Sequence, residues 1–136
     1  MIYLLDTNAI SDLIRNDQRM ADWVSSLRDD DRLVTCTIVR GEIMFGIARL
    51  AQGRRRVELE QKAERLFAVV PCEPIAAFAG DVYATIKLTQ QQRGLSLDEN
   101  DLWIAATALS LGATLVSRDR DFHRLDRLIT AVPGAN

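Results

Sequence analysis

Ile2, Tyr3, Leu4 and Leu5 run without a polar break into Asp6, Thr7 and Asn8. A short unbroken apolar run predicts a strand buried on both faces rather than one. From Ala9 onward the apolar residues Ile10, Leu13 and Ile14 fall at helical spacing, with Thr7 or Asn8 available as the cap. Asp6 therefore stands where a buried strand ends and a helix begins. In open α/β sheets that carboxyl edge is where ligands bind.

The same alternation continues along the chain. Met20, Trp23, Val24 and Leu27 give one face of a helix over residues 18–28, which the acidic run Asp29, Asp30, Asp31 breaks. Residues 33–36 read as a second strand. Thr37 caps a helix reaching about Ala51, with Val39, Ile43, Ile47 and Leu50 as its buried stripe. After Gly53, a helix opens on Arg54, Arg55 and Arg56 and carries Leu59, Ala63, Leu66 and Phe67 inward. Arginines at a helix start oppose the macrodipole by about 0.3–1 kcal/mol each, so they call for a nearby anion or a solvent-facing loop. Val69 and Val70 read as a short strand ended by Pro71, and Pro74 starts a helix that runs to Gly94. Ser96 and Glu99 have the spacing of a capping box for the next helix, which Gly112 stops. Residues 113–116 and 128–132 complete the set as strands. Strands alternating with helices predict an α/β fold: a mostly parallel central sheet flanked by helices on both faces, formed by residues 1–136 as one domain.

Composition narrows the picture. A chain of 136 residues with 48% hydrophobic and 26% charged residues can bury a sizeable core and is not disordered. The net charge of −2 excludes a broadly basic nucleic-acid binder. Of the 17 basic residues, 15 are Arg, a bias that suits phosphate contact but equally follows from a GC-rich genome. Cys36 and Cys72 form neither a disulfide framework nor a zinc spacing. With no signal-peptide pattern and no apolar run of membrane length, the expected location is a reducing cytoplasm.

Most of the 19 acids read as surface charge, and some form ordinary helix-face pairs, as Asp12 does with Arg15 and Glu58 with Lys62. Glu42 and Asp101 lie on predicted helices with no cation three or four residues away, and Asp6 and Asp119 each follow a strand. Singly, Asp6 reads as a helix cap, Asp119 as a turn residue and Asp101 as a complement to the helix dipole. Together, two acids at strand ends and two on helices with apolar surroundings, they form a cluster if the fold brings them to one edge. Two carboxylates about 4 Å apart repel by about 4 kcal/mol at an effective dielectric of 20, so a converging set takes up protons or a cation. All-oxygen donors suit Mg²⁺ or Mn²⁺, and the single His123 with no cysteine cluster argues against zinc. A hard metal among carboxylates is machinery for phosphodiester hydrolysis.

Four segments in order, Ile2 to Asn8, Arg40-Gly41-Glu42, Asn100 to Ala106 and Leu115 to Phe122, resemble the motifs of a PIN domain across nearly the whole chain. A stand-alone domain of this length most resembles the VapC-type toxin of a toxin–antitoxin pair. The resemblance implies a Mg²⁺- or Mn²⁺-dependent endoribonuclease acting on structured RNA such as transfer or ribosomal RNA. It also implies a homodimer and a small VapB-like antitoxin that blocks the site. Asp6, Glu42, Asp101 and Asp119 fall on the catalytic acids, with Asp6 and Asp101 as principal metal ligands. Thr7 and Asn8 fall on the bracing positions, Asp98 and Asp121 stand beside two of the acids, and Arg118, Arg120 and Arg124 are candidate RNA contacts. The alternative function is a non-catalytic PIN-like module binding RNA or protein, which the full acid set disfavours. A dehalogenase-type phosphohydrolase needs a second Asp where Asn8 stands, and a dinucleotide-binding domain needs a glycine-rich first turn that is absent.

Overall fold

The computed structural model describes residues 1–134. In chain order the elements are β1 (Ile2–Leu5), α1 (Thr7–Ile14), α2 (Gln18–Ser25), β2 (Arg32–Cys36), α3 (Thr37–Ala48), α4 (Arg54–Val69), β3 (Cys72–Glu73), α5 (Ala77–Gln92), α6 (Glu99–Leu111), β4 (Thr114–Val116), a 3₁₀ turn (Arg120–Arg124) and β5 (Thr130–Ala131).

All strand pairings are parallel, in the order β3-β2-β1-β4-β5. The chain winds outward from β1 through β2 to β3, then returns to lay β4 and β5 on the other side. The seam between β1 and β4 is therefore the topological switch point, registered by Leu5 opposite Val116. Successive residues of a strand face opposite sides, and Leu4 and Leu5, Val34 and Cys36, Leu115 and Val116 are all buried. Both faces are thus covered, as the unbroken apolar runs predict. On one side α1 packs with α2, α3 and α4; α5 packs along α6, and α6 meets both β4 and α3. No helix among the described residues is long and apolar enough to cross a membrane.

Several element ends differ from the pattern-based expectation. Val69 and Val70 are not a strand: Val69 ends α4, and the Val70 N–H donates to the Leu66 carbonyl at 2.8 Å. Val70 is the extended C-cap residue, 3% exposed, so α4 takes in Val69 and stops where Val70 turns into the core. The strand follows Pro71 instead, at Cys72 and Glu73. Pro74 lies outside α5, which starts at Ala77. Caps are shifted too. Asp6 itself caps α1, and Thr7 is its first residue. Cys36 occupies the cap position of α3, with no side-chain bond from Thr37 to the helix. Asp98 caps α6, accepting from the Asn100 N–H, so the Ser96–Glu99 box does not form. Glu99 turns instead to Lys87 on α5, at 2.6 Å.

Candidate active site

The carboxyl edge of β1 and β4 gathers the acids. Asp6 leaves β1 in extended backbone and its carboxylate accepts from the Ala9 N–H at 2.8 Å. It is 4% exposed, and burial, then the charge of Asp119, push its pKa above the ordinary value. The Ser117 hydroxyl, the Ala9 N–H and the Arg118 guanidinium pull the other way. Asp6 is therefore a cap and a candidate ligand at once, and the two roles use different lone pairs.

Thr7 reaches across from α1 to α3, its hydroxyl donating to Glu42 Oε1 at 2.7 Å. This supplies the partner that Glu42 lacks along its own helix, and fixes one carboxylate oxygen while leaving the other free. Asn8 is exposed and makes no side-chain hydrogen bond among the described residues. Asp101 sits half-buried in the first turn of α6. Burial, followed by the charges of Asp119, Asp98, Glu42 and Asp6, raises its pKa to about 6. Those four partners come from the β4 loop, the α6 cap, α3 and the β1 end, so the fold does bring the sequence-predicted acids into one electrostatic cluster.

Asp119 caps the 3₁₀ turn, accepting from the Asp121 N–H at 2.9 Å, while its own N–H donates to Ser117 Oγ at 3.0 Å. Asp121 is exposed and pairs with Arg124 at 3.7 Å. Arg118 pairs with Asp12 at 3.3 Å, and Arg120 is exposed. His123 is exposed as well, with Nδ1 at 3.4 Å from the Thr130 hydroxyl.

Ser117 is the residue that pattern reading misses. It is 1% exposed; its hydroxyl accepts from the Asp119 N–H at 3.0 Å and lowers the pKa of Asp6, so it bears on both the first acid and the fourth. Its only signal in the sequence is a small hydroxyl directly after a buried strand. A groove of about 300 Å³ opens on the other side of Glu42, lined by Thr7, Ser11, Arg15 and Arg55 among aliphatic side chains of α1, α3 and α4. Arg55, at the start of α4, lines the same groove as Glu42.

The donor set fits a hard divalent cation held partly through water. It is all oxygen, and the excess negative charge is registered directly by Asp101, whose neighbours raise its pKa with no cation opposing them. Among the described residues, no group of three His, Cys, Asp or Glu side chains stands where it could hold a metal ion, so an ion here would take several of its ligands from water. Mg²⁺ keeps several waters in such sites.

A five-stranded parallel sheet with an acidic cluster at its switch point defines a single-domain α/β protein with a carboxylate site. The chain belongs to the PIN domain family, whose model matches residues 3–128. Within it, the chain is similar to Ribonuclease VapC1 of Haemophilus influenzae strain R2866, 38% identical over 133 residues that cover 94% of this chain and 95% of that one. It is also similar to Toxin FitB of Neisseria gonorrhoeae, 34% identical over 125 residues, covering 85% and 86% of the two chains. Among solved structures, VapBC-1 from nontypeable Haemophilus influenzae superposes with a TM-score of 0.88 at 28% identity, covering 99% of this chain and all of that one.

Proposed function

We propose that the protein is a Mg²⁺- or Mn²⁺-dependent endoribonuclease, the toxin of a toxin–antitoxin pair, cutting structured RNA of the transfer or ribosomal class. The observation that carries the metal reading is the convergence of Asp6, Glu42, Asp98 and Asp119 on Asp101 at the sheet switch point. The nuclease and toxin readings are supported by relatives named as a ribonuclease and as a toxin.

In this reading Asp6 and Asp101 hold the ion, directly or through water, and Asp119 completes the acidic wall. When bound, the ion supplies Lewis acidity toward the phosphoryl oxygen and lowers the pKa of water. Glu42, oriented by Thr7, aligns the attacking water with its free oxygen. Ser117 keeps Asp6 and Asp119 in register. In-line attack leaves a 5′-phosphate and a 3′-hydroxyl. Two of the three candidate RNA contacts are engaged in ion pairs, Arg118 with Asp12 and Arg124 with Asp121, whereas Arg120 makes none among the described residues. The protein works in the cytoplasm as a homodimer, held inactive by a VapB-like antitoxin. The solved structures named VapBC and FitAcB support the antitoxin.

The test is cleavage of total bacterial RNA by purified, antitoxin-free protein with Mg²⁺, with Mn²⁺ and with EDTA. Cuts that require the metal and vanish in Asp6→Asn are expected. A folded protein that cuts under none of these conditions would instead fit the non-catalytic binding module.

A further inference from the structure

Asp12 and Arg118 are not needed by the mechanism above, yet they bridge the two segments that carry the first and fourth acids. Asp12 lies on α1, the helix that Asp6 caps. Arg118 lies between Ser117 and Asp119 on the loop that leaves β4. Arg118 Nη2 is 3.3 Å from Asp12 Oδ1, across 106 positions of sequence. The Asp12 side chain is only 14% exposed, and the same oxygen accepts from Arg15 at 2.6 Å. Asp12 thus behaves as a fixed anchor rather than a loose surface charge.

The loop needs such an anchor. Its near end is held by the Ser117 N–H on the Ala131 carbonyl at 3.0 Å. Beneath it lies a cavity of about 110 Å³, lined by Ala9, Met20, Val116 and Ser117 together with Asp12 and Arg118. Phe122, 1% exposed, packs the far end of the loop into the core, and the Asp12–Arg118 pair is a contact on the cavity side. Arg118 also acts on Asp6 through space, opposing the effects of burial and of Asp119.

We infer that the Asp12–Arg118 pair is a latch that fixes Asp119 relative to Asp6, so that both residues position the divalent-ion site rather than contact RNA. The inference rests on the metal-dependent reading above. The Arg118 side chain is 57% exposed, so the pair adds little to global stability and its effect is local. Side chains that orient metal ligands commonly change affinity by about 10–100-fold when removed. By contrast, an arginine on a phosphate changes RNA affinity and its salt dependence.

The experiment compares the wild type with Asp12→Asn, Arg118→Gln and the double variant. Calorimetric titration with Mn²⁺ alone, without RNA, is the first readout. Each single variant is expected to bind Mn²⁺ about tenfold more weakly, and the double variant no more weakly than either single. Asp12→Glu, which keeps the charge, is expected to recover most of the loss. The second readout is the salt dependence of binding to a short labelled oligoribonucleotide in EDTA, which is expected to match the wild type in every variant. Unchanged Mn²⁺ affinity in Arg118→Gln, with a flatter salt dependence for the oligoribonucleotide, would overturn the latch and restore Arg118 as an RNA contact. Additive losses in the double variant would overturn it as well. Arg118→Gln leaves Asp12 paired with Arg15, so it remains readable if Asp12→Asn does not fold. A wild type that binds no Mn²⁺ would overturn both the latch and the metal reading, whereas Mn²⁺ binding indifferent to the substitutions overturns the latch alone.

Discussion

Asp6 joins two requirements in one side chain. As a cap it needs an acceptor for the Ala9 N–H; as a ligand it needs a charge. Asn meets the first and not the second. Asp6→Asn is therefore expected to reduce RNA cleavage at least 100-fold, within the range seen for loss of a catalytic group, while its thermal midpoint without metal stays level or rises. Cleavage assays beside melting curves check this. Asp101 makes the electrostatics measurable. Its pKa rises from 3.8 to about 6, so between those values the native protein binds more protons than the unfolded chain. Without metal, the contribution of Asp101 to stability is present below about pH 4, declines as pH rises to about 6 and is level beyond. Discounted for the exposure of the group, the decline is on the order of 1 kcal/mol. Denaturant titrations in EDTA should show it, and Asp101→Asn should remove it. Ser117 is a separate case. Ser117→Ala leaves the part-buried Asp119 N–H without its acceptor, and is expected to destabilise the fold by about 1 kcal/mol while weakening Mn²⁺ binding.

At the level of elements, the acids were legible because each stood against a pattern: Asp6 after an unbroken apolar run, Glu42 in a helix stripe with no cation at its offsets. Their partners were not legible, since Thr7 lies 35 positions from Glu42 and only the packing of α1 on α3 joins them. Caps misled for a related reason. A Ser-x-x-Glu spacing predicts a box only when Glu is free to fold back, and Glu99 is held by Lys87 and Tyr83 of α5, with Tyr83 also stacked on Trp103 at 4.0 Å. The start of α6 is thus set by tertiary contacts, and Asp98 becomes the cap. The other end of α6 was legible from local chemistry. Gly112 has φ of 64°, the left-handed region where only glycine is unstrained, and a Cβ there meets nothing within 4 Å. Gly112→Ala should therefore cost about 1 kcal/mol through backbone strain alone, with Gly112→Asn less harmful, as chemical denaturation would register.

For the whole molecule, the fold concentrates acids at one edge of the sheet, with few arginines among them. The net charge is only −2, yet the acids gather at the sheet edge and Arg15 and Arg55 line the groove beyond Glu42. RNA approaching the site meets a repulsive centre with arginines beside it, so attraction without metal rests on few contacts. Each phosphate on a single strand contributes about 0.7 to the slope of log affinity against log salt. An Asp6→Asn protein, which binds without cutting, should give a shallow slope in EDTA, of magnitude below about 3. On the metal-dependent reading, adding Mg²⁺ to the wild type should tighten RNA binding and raise the thermal midpoint, because an ion that binds only the native state and neutralises its carboxylates stabilises it. Fluorescence anisotropy across a salt series tests the first expectation, and melting with and without Mg²⁺ the second. A steep slope in EDTA would mean that the arginines form a continuous phosphate track. RNA affinity would then come from the surface as a whole, and the metal would serve the chemical step alone.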